Sequence, residues 1–201
     1  MELIVATRNK DKCKELQALL QDLGVRIRTI GDFPGAPDVV EDGTTCEANA
    51  IKKAQSAARF TGLPAIADDT GLEVAALDGR PGVYAARYAG ESATYEDNWR
   101  KLLRELNGVP VSRRQARFVT AAAIAYPDGR VQMALGTLDG VITEQPRGTG
   151  GFGYDPVFLV PEKEKTLAEM TPEEKNQVSH RARAFQRAKE LLQEASHLTG
   201  V

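Results

Sequence analysis

The first half of the chain alternates short apolar runs with segments of helical periodicity. A polar stretch follows the first run, and leucines then recur three or four positions apart. In the next periodic segment, alanines recur on one helical face. Each helix is followed by a glycine, a residue typical of the position after a helix. The predicted elements are strands at 3–6, 25–30 and 63–67, a helix that ends at Gly24 and a helix from Thr44 or Thr45 to Gly62.

The second half of the chain predicts a hairpin and two more helices. Two apolar runs flank Pro127-Asp128-Gly129, a sequence typical of the turn between antiparallel strands. The segment 78–92 is rich in glycine and proline and predicts a long loop, a candidate interface or lid. The predicted elements are strands at 118–126, 131–138 and 157–160, a helix from Thr94 to Leu106 and a terminal helix that begins at the capping box Thr171-Pro172-Glu173-Glu174. Parallel and antiparallel strands together predict an α/β fold with a mixed sheet.

Charge and composition narrow the classes of function. The 201 residues carry 26 Lys and Arg against 28 Asp and Glu, a net charge of −2, which excludes a broad basic surface for nucleic acid or an anionic membrane. The chain suits one domain over 1–201, and no apolar run is long enough to span a membrane. Two scattered cysteines give no disulfide framework, which favours a reducing cytoplasmic compartment.

Adjacent carboxylates at 68 and 69 form the sharpest acidic feature. Asp68 and Asp69 follow a predicted buried strand, and two neighbouring negative charges are relieved by a bound cation such as Mg²⁺ or Mn²⁺. Asp-Asp-Thr-Gly is also good turn chemistry, so a solvated turn fits the same residues equally well. Glu41 would be a third carboxylate, although by itself it is more typical of a surface.

The loop from Thr7 to Lys12 lies at the predicted start of the first helix. Helix N-termini bind anions, so a phosphate site is one interpretation, although the loop lacks a P-loop motif. A polar loop in which Asp11 caps the helix is the other, slightly favoured, interpretation. The candidate substrate contacts of this loop are Thr7, Arg8, Asn9, Lys10, Asp11 and Lys12.

A glycine-rich segment surrounds one aromatic residue at 148–155. Its four glycines permit close backbone approach to a ligand, and Phe152 offers a face for stacking. Further along, Lys175 and Ser179 would share a face of a continuous terminal helix, next to His180 and Arg181. Taken alone, these charges and Lys53 are more typical of a solvated helix face.

Seven short motifs follow one another along the chain. They are Thr7-x-Asn9-x-x-Lys12; Glu41-x-Gly43; Asn49-Ala50-x-x-Lys53-Ala54; Ala67-Asp68-Asp69-Thr70-Gly71-Leu72; Pro81-Gly82-Val83-Tyr84-x-Ala86-Arg87-Tyr88; 148–156, which reads Gly-Thr-Gly-Gly-Phe-Gly-Tyr-Asp-Pro; and Ser179-His180-Arg181. In this order, the motifs resemble the inosine triphosphate pyrophosphatase family over residues 3–192. Two departures stand out: Ala48 replaces a carboxylate common in the family, and Ala182 replaces a glycine. The first departure leaves Glu41 as the safer metal ligand.

The resemblance implies hydrolysis of ITP, dITP and XTP to the monophosphate and pyrophosphate, with Mg²⁺. It also implies an elongated mixed sheet flanked by helices, in two lobes with a nucleotide cleft between them, and a homodimer. Asp69 would be the general base and a metal ligand, with Glu41 and Asp68 supporting the metal. The implied substrate contacts are the loop 7–12, Lys53, Thr70, Phe152, Gly153, Tyr154, Asp155, Lys175, His180 and Arg181.

The chemistry of the reaction agrees with these roles. Attack of water on the α-phosphorus needs an oriented nucleophile, a proton acceptor and cations near the leaving pyrophosphate. Two alternatives remain open from the sequence: a nucleotide sensor without catalysis, against which the acid pair argues, and a pyrophosphatase acting on pyrimidine nucleotides. The group that reads purine O6 also stays open among His180, Lys175 and backbone N–H groups.

Overall fold

A computed structural model describes residues 2–198. The chain divides into two compact units. Among the described residues, the first unit comprises 2–69, 120–136 and 181–198, and the second comprises 70–119 and 137–180. Three strands continue from one unit into the other, because their residues cross the boundaries at 69, 119 and 136.

The described residues form an α/β fold on one eight-stranded sheet. The strands are β1 Glu2–Val5, β2 Arg26–Thr29, β3 Ala65–Val74, β4 Pro81–Gly82, β5 Gln115–Ala125, β6 Val131–Ile142, β7 Phe158–Val160 and β8 Lys165–Thr166, and the helices are α1 Lys10–Leu20, α2 Cys46–Thr61, α3 Tyr95–Glu105, α4 Pro172–Val178 and α5 His180–Leu198. The order of the strands in the sheet is β2-β1-β3-β5-β6-β7-β8, and β4 pairs with β3. Strand β1 runs parallel to β2 and β3, whereas the pairs β3–β4, β6–β7 and β7–β8 are antiparallel. The prediction of a mixed sheet flanked by helices is therefore confirmed.

Each unit has its own apolar core. In the first unit, strand residues such as Leu3 and Ile66 pack with leucines of α1 and with Phe185 of α5. In the second unit, the core includes Phe118 and Phe158, whose ring centroids lie 4.5 Å apart. Close-packed apolar cores of this kind hold the backbone that carries the polar groups described below.

Local capping differs from the sequence prediction at α1, and at α2 the structure selects one of the two predicted caps. Asn9, rather than Asp11, caps α1, because its side chain accepts hydrogen bonds from the backbone N–H groups of 11 and 12. Thr45, rather than Thr44, caps α2 and accepts from the N–H of Ala48. The predicted end of α2 at Gly62 is confirmed, whereas α1 ends at Leu20 and a 3₁₀ turn, Gln21–Leu23, precedes Gly24. Both glycines adopt the left-handed conformation.

The regions around 68 and 179 also differ from the prediction. Strand β3 continues from Ala65 to Val74, so Asp68 and Asp69 lie inside a strand and the interpretation as a turn is wrong. The predicted continuous terminal helix is interrupted at Ser179, whose backbone is extended with ψ of 152°. Lys175 therefore belongs to α4, and no shared helix face links it to Ser179. None of the helices within 2–198 combines the length and the apolar character that a membrane span needs.

Candidate active site

Asp68 is buried in the first unit among cationic side chains. Its Oδ2 accepts from Lys12 Nζ at 3.1 Å and from Arg181 Nε at 3.2 Å. Arg181 also donates to Glu15 Oε2 at 2.7 Å. Burial by itself would raise the pKa of the Asp68 carboxyl, but Lys12 and Arg181 outweigh it and hold that pKa well below its ordinary value. Asp68 is therefore an ionised counter-ion for the half-buried ammonium of Lys12 and the buried guanidinium of Arg181.

Asp69, the next residue, has different partners. Asn49 Nδ2 donates to its Oδ2 at 3.0 Å, and Lys53 Nζ lies 3.9 Å from its Oδ1. The same lysine Nζ lies 3.0 Å from Glu41 Oε2. Burial raises the pKa of Asp69, and the nearby lysines offset this only in part. A carboxylate of raised pKa is suited to accept a proton from water.

The alternation of a strand explains why neighbouring aspartates differ. Successive side chains of β3 point to opposite faces, so 68 and 69 meet different elements. Helix α2 brings Asn49 and Lys53 together, because residues four apart share a helix face. We call Lys12, Glu15, Glu41, Asn49, Lys53, Asp68, Asp69 and Arg181 the carboxylate–cation cluster.

A divalent cation fits part of the predicted donor set. Glu41 and Asp69 both approach the Lys53 ammonium, so their oxygens already converge on one positive charge, and carboxylate oxygens are the ligands that Mg²⁺ prefers. Asp68 is directed to Lys12 and Arg181 instead. Within 2–198, no three His, Cys, Asp or Glu side chains are arranged to hold a metal ion. The donor set thus suits a cation bound with the help of the substrate's own oxygens.

The loop 7–12 divides between capping and ion pairing. Thr7 Oγ1 accepts from the N–H of Asn9 at 3.2 Å, and Lys12 reaches the cluster. Arg8 Nη2 instead donates to the carbonyl of Ala36 at 2.7 Å, and its Nε lies 2.9 Å from Asp38. Lys10 and Asp11 occupy the first turn of α1. The structure thus places one predicted phosphate ligand of this loop, Lys12, among the cluster residues.

In the second unit, Asp155 organises the glycine-rich segment. Its Oδ2 accepts from the N–H of Phe152 at 2.9 Å and from Lys175 Nζ at 2.6 Å. Lys175 Nζ also lies 4.9 Å from the centroid of the Phe152 ring. A Cβ at Gly151 would lie 1.9 Å from Asp155 Oδ2, so only glycine allows this approach. We call residues 148–155, together with Lys175, the glycine–aromatic loop.

Four further residues that the resemblance assigns to the substrate lie in the second unit. Tyr154 is a core residue whose hydroxyl donates to the carbonyl of Ala85 at 2.7 Å, and burial raises its pKa. His180 is buried and stacks on Phe118, with ring centroids 4.3 Å apart. Thr70 directly follows Asp69 in β3. The space around Gly153 is open, because a Cβ there would meet nothing within 4 Å.

Sequence reasoning missed three residues with direct contacts to these groups. Asn49 lies within one of the seven motifs and shares a helix face with Lys53, a signal that could have found it. Glu15 lies three residues after Lys12, the corresponding signal on α1. Tyr95, whose ring centroid lies 5.7 Å from that of Phe152, is distant in sequence and gave no such signal.

Comparison with known proteins identifies the family. Residues 3–191 match the Ham1 family. A dITP/XTP pyrophosphatase of Geobacillus kaustophilus is 52% identical over 193 residues, 96% of this chain and 95% of the relative. One of Geobacter sulfurreducens, with the same name, is 54% identical over 94% of this chain and 96% of its own. The solved structure of a HAM1 protein from Coxiella burnetii superimposes with a TM-score of 0.87 and 41% identity, covering 96% of this chain and 99% of that one.

All three proteins match almost the whole chain, and the names of the Geobacillus and Geobacter relatives state pyrophosphatase activity on dITP and XTP. The matched span includes both the carboxylate–cation cluster and the glycine–aromatic loop. The chain therefore belongs to the Ham1 family.

Proposed function

We propose that this chain hydrolyses the noncanonical purine nucleoside triphosphates ITP, dITP and XTP to the nucleoside monophosphate and pyrophosphate. The full-length relatives named dITP/XTP pyrophosphatase support this activity. The observation that carries the mechanism is Asp69, a buried carboxylate of raised pKa beside Lys53 and Asn49.

Asp69 acts as the general base in this proposal. Water attacks the α-phosphorus, and its proton passes to the Asp69 carboxylate while the bond to the pyrophosphate oxygen breaks. The hydrogen bond from Asn49 holds Oδ2 of Asp69 in place. Because the carboxylate is planar, this also fixes the direction in which Oδ1 points. Asn49 thereby becomes a positioning residue, because it acts through Asp69.

Lysines of the cluster bind the triphosphate. Lys12 and Lys53 lie on the first turn of α1 and on α2, and burial lowers the pKa of Lys12 even though Asp68 opposes that shift. Both ammonium groups neutralise charge on the leaving pyrophosphate. Arg181, paired with Asp68 and Glu15, holds the Asp68 carboxylate in place. The remaining predicted contacts of the loop 7–12, His180 and Thr70 stay predictions.

Mg²⁺ is the proposed cofactor, held by Glu41 and Asp69 together with phosphate oxygens. When bound, it polarises the phosphoryl group and lowers the pKa of bound water. Asp68, predicted as a third ligand, serves better as the counter-ion of Lys12 and Arg181. By resemblance, we also propose a cytoplasmic homodimer in which 1–201 acts as one functional domain.

The glycine–aromatic loop binds the base. Phe152 stacks on the purine, and Lys175, held by Asp155, supplies a donor for O6. An adenine amino group at that position would leave a buried donor unpaired, at a cost of about 1–3 kcal/mol. The proposed preference for 6-oxo purines follows from that cost.

One substrate panel tests the activity. Release of pyrophosphate is measured from ITP, dITP, XTP, ATP, UTP and dTTP, with Mg²⁺ and with EDTA. We expect the three 6-oxo purines to be turned over fastest and EDTA to stop the reaction. Faster turnover of UTP or dTTP than of ITP would instead establish a pyrimidine pyrophosphatase, and binding of ITP without pyrophosphate release would establish a sensor.

A further inference from the structure

Phe152 has little lateral support from its own segment. Both chain neighbours, Gly151 and Gly153, lack side chains and have positive φ values of 66° and 64°. The backbone N–H of Phe152 donates to Asp155 Oδ2, which fixes the backbone but does not orient the ring. The side chains that orient the ring therefore come from residues that are not its neighbours in sequence.

Side chains of Lys175 and Tyr95 contact the ring of Phe152. Lys175 Nζ lies 4.9 Å from its centroid, a cation–π contact. The Tyr95 ring lies 5.7 Å away at an interplanar angle of 42°, a tilted aromatic pair. Lys175 is tied to Asp155 through its charge, whereas Tyr95 approaches Phe152 with an aromatic ring.

Tyr95 is held by a rigid backbone. It is the first residue of α3, directly after Thr94, and the Thr94–Asp97 capping box has both of its hydrogen bonds. Tyr95 is nevertheless 40% exposed, so its ring adds little to the core. A fixed backbone with an exposed ring against Phe152 is the arrangement expected of a side chain that supports a binding surface.

We propose that Tyr95 is a positioning residue for the base: it holds the Phe152 ring in the orientation that stacks on the purine. This inference deepens the proposed function and rests on it for the identity of the base. Stacking contacts the face of a base and ignores its edges, because every base has a π-face. Tyr95 thus strengthens binding of ITP and XTP equally and leaves discrimination between them to other groups.

The test compares Tyr95→Ala and Tyr95→Phe with the wild type. For Tyr95→Ala, we expect KM for ITP and XTP to rise about 2- to 10-fold with kcat unchanged, the range for loss of an aromatic pair. Tyr95→Phe keeps the ring and should restore wild-type KM. Phe60→Ala, which removes an aromatic residue of similar exposure from α2, is the matched control and should change neither constant.

A double-mutant cycle separates positioning from direct contact. If Tyr95 acts through Phe152, Tyr95→Ala adds little to the loss already caused by Phe152→Ala. Additive losses would overturn the positioning role, as would a change in the ratio of KM for ITP and XTP. Wild-type KM in Tyr95→Ala would overturn the inference entirely.

Calorimetric binding of IMP and XMP distinguishes failure of this inference from failure of the proposed function. These monophosphates carry the base and need no hydrolysis. If the wild type releases no pyrophosphate but Tyr95→Ala weakens IMP binding about 2- to 10-fold, the proposed function fails and the role of Tyr95 stands. Circular dichroism checks the fold of each variant, and Tyr95→Phe provides the comparison if the alanine variant unfolds.

Discussion

The two units bury charge in different ways. In the first unit, the carboxylate–cation cluster is supported by three helices and a strand, and Asp68 has cationic partners at 3.1 and 3.2 Å. In the second unit, the glycine–aromatic loop is irregular, and an ion pair of 2.6 Å between Asp155 and Lys175 holds it. A network on regular elements fixes groups that handle charge, whereas an ion pair on a loop fixes the segment that carries an aromatic ring.

This difference suits the two regions to different tasks: the carboxylate–cation cluster to binding charge and the glycine–aromatic loop to recognising the shape of a base. Buried charges at several positions create a strong local field that suits a triphosphate and a reacting water. A glycine-rich segment instead allows close backbone approach, and its aromatic ring gives contact area. Variants of the first region should therefore change turnover and stability most, and variants of the second should change binding of the base.

The largest expected effect is on turnover, in Asp69→Asn. The amide cannot accept the proton from water, so kcat should fall by about 100-fold or more, within the range for loss of a general base. Binding of ITP, measured by calorimetry with EDTA so that no hydrolysis occurs, should remain close to wild type, because the amide keeps the shape of the side chain and the cation that Asp69 would hold is absent.

Asp42→Asn is the matched control for that variant. Asp42 is an exposed carboxylate paired with Lys52 at 2.6 Å, and its replacement should leave kcat unchanged. Turnover near wild type in Asp69→Asn would show that Asp69 is not the proton acceptor. The proposed catalytic role of the carboxylate–cation cluster would then be wrong.

The next effect concerns stability and compares Asp68→Asn with Asp155→Asn. Breaking a buried ion pair costs about 3–5 kcal/mol of the free energy of unfolding. Asp68 compensates both Lys12 and Arg181, whereas Asp155 pairs with Lys175, so we expect Asp68→Asn to lie at the upper end and Asp155→Asn at the lower end. Urea unfolding at neutral pH measures both.

The pH dependence of the Asp68→Asn effect has a defined sign. The folded pKa of Asp68 lies below its unfolded value of about 3.9. The stabilisation of the folded state by Asp68 is therefore complete above that pH and is lost as the pH falls toward the folded pKa.

Arg117→Ala is the control for both variants. It breaks an exposed ion pair with Asp139 and should leave the free energy of unfolding unchanged. A larger loss in Asp155→Asn than in Asp68→Asn would break the contrast between network and pair.

The smallest expected effect compares two glycines of the loop. Gly151→Ala places a Cβ against Asp155 and should displace the loop, which raises KM for ITP and XTP and lowers stability by about 1–3 kcal/mol. Gly153→Ala has almost the same φ but no atom within 4 Å, so it shows the cost of strain alone, about 1 kcal/mol. Steady-state kinetics and urea unfolding measure both variants, and equal effects would show that contact with Asp155 is unimportant.

Local patterns were sufficient for many elements and for the family. The helix end at Gly62, the helix after Thr94 and the hairpin strands around 127–129 were all predicted, because periodicity and capping depend on neighbouring residues. The cap of α1 was placed two residues from Asn9, and the cap of α2 was left between Thr44 and Thr45, since several adjacent polar residues offered similar caps. The motif order gave the family, which the comparisons confirm.

Contacts within the site could not be predicted in the same way. The Arg181–Asp68 bond joins residues 113 positions apart, and the Lys175–Asp155 bond joins residues 20 apart. The continuous helix predicted across Ser179 also failed, because a capping pattern marks where a helix begins but gives no account of a break within it.

By itself, the sequence determined that this chain carries an acid pair, a glycine–aromatic loop and clustered bases in the order of the Ham1 family. Only the tertiary structure decided that Asp68 is a counter-ion and that Asp69, beside it, has a raised pKa. The reason is that side-chain pKa depends on burial and on charges brought close by folding, and adjacent residues of one strand face different surroundings.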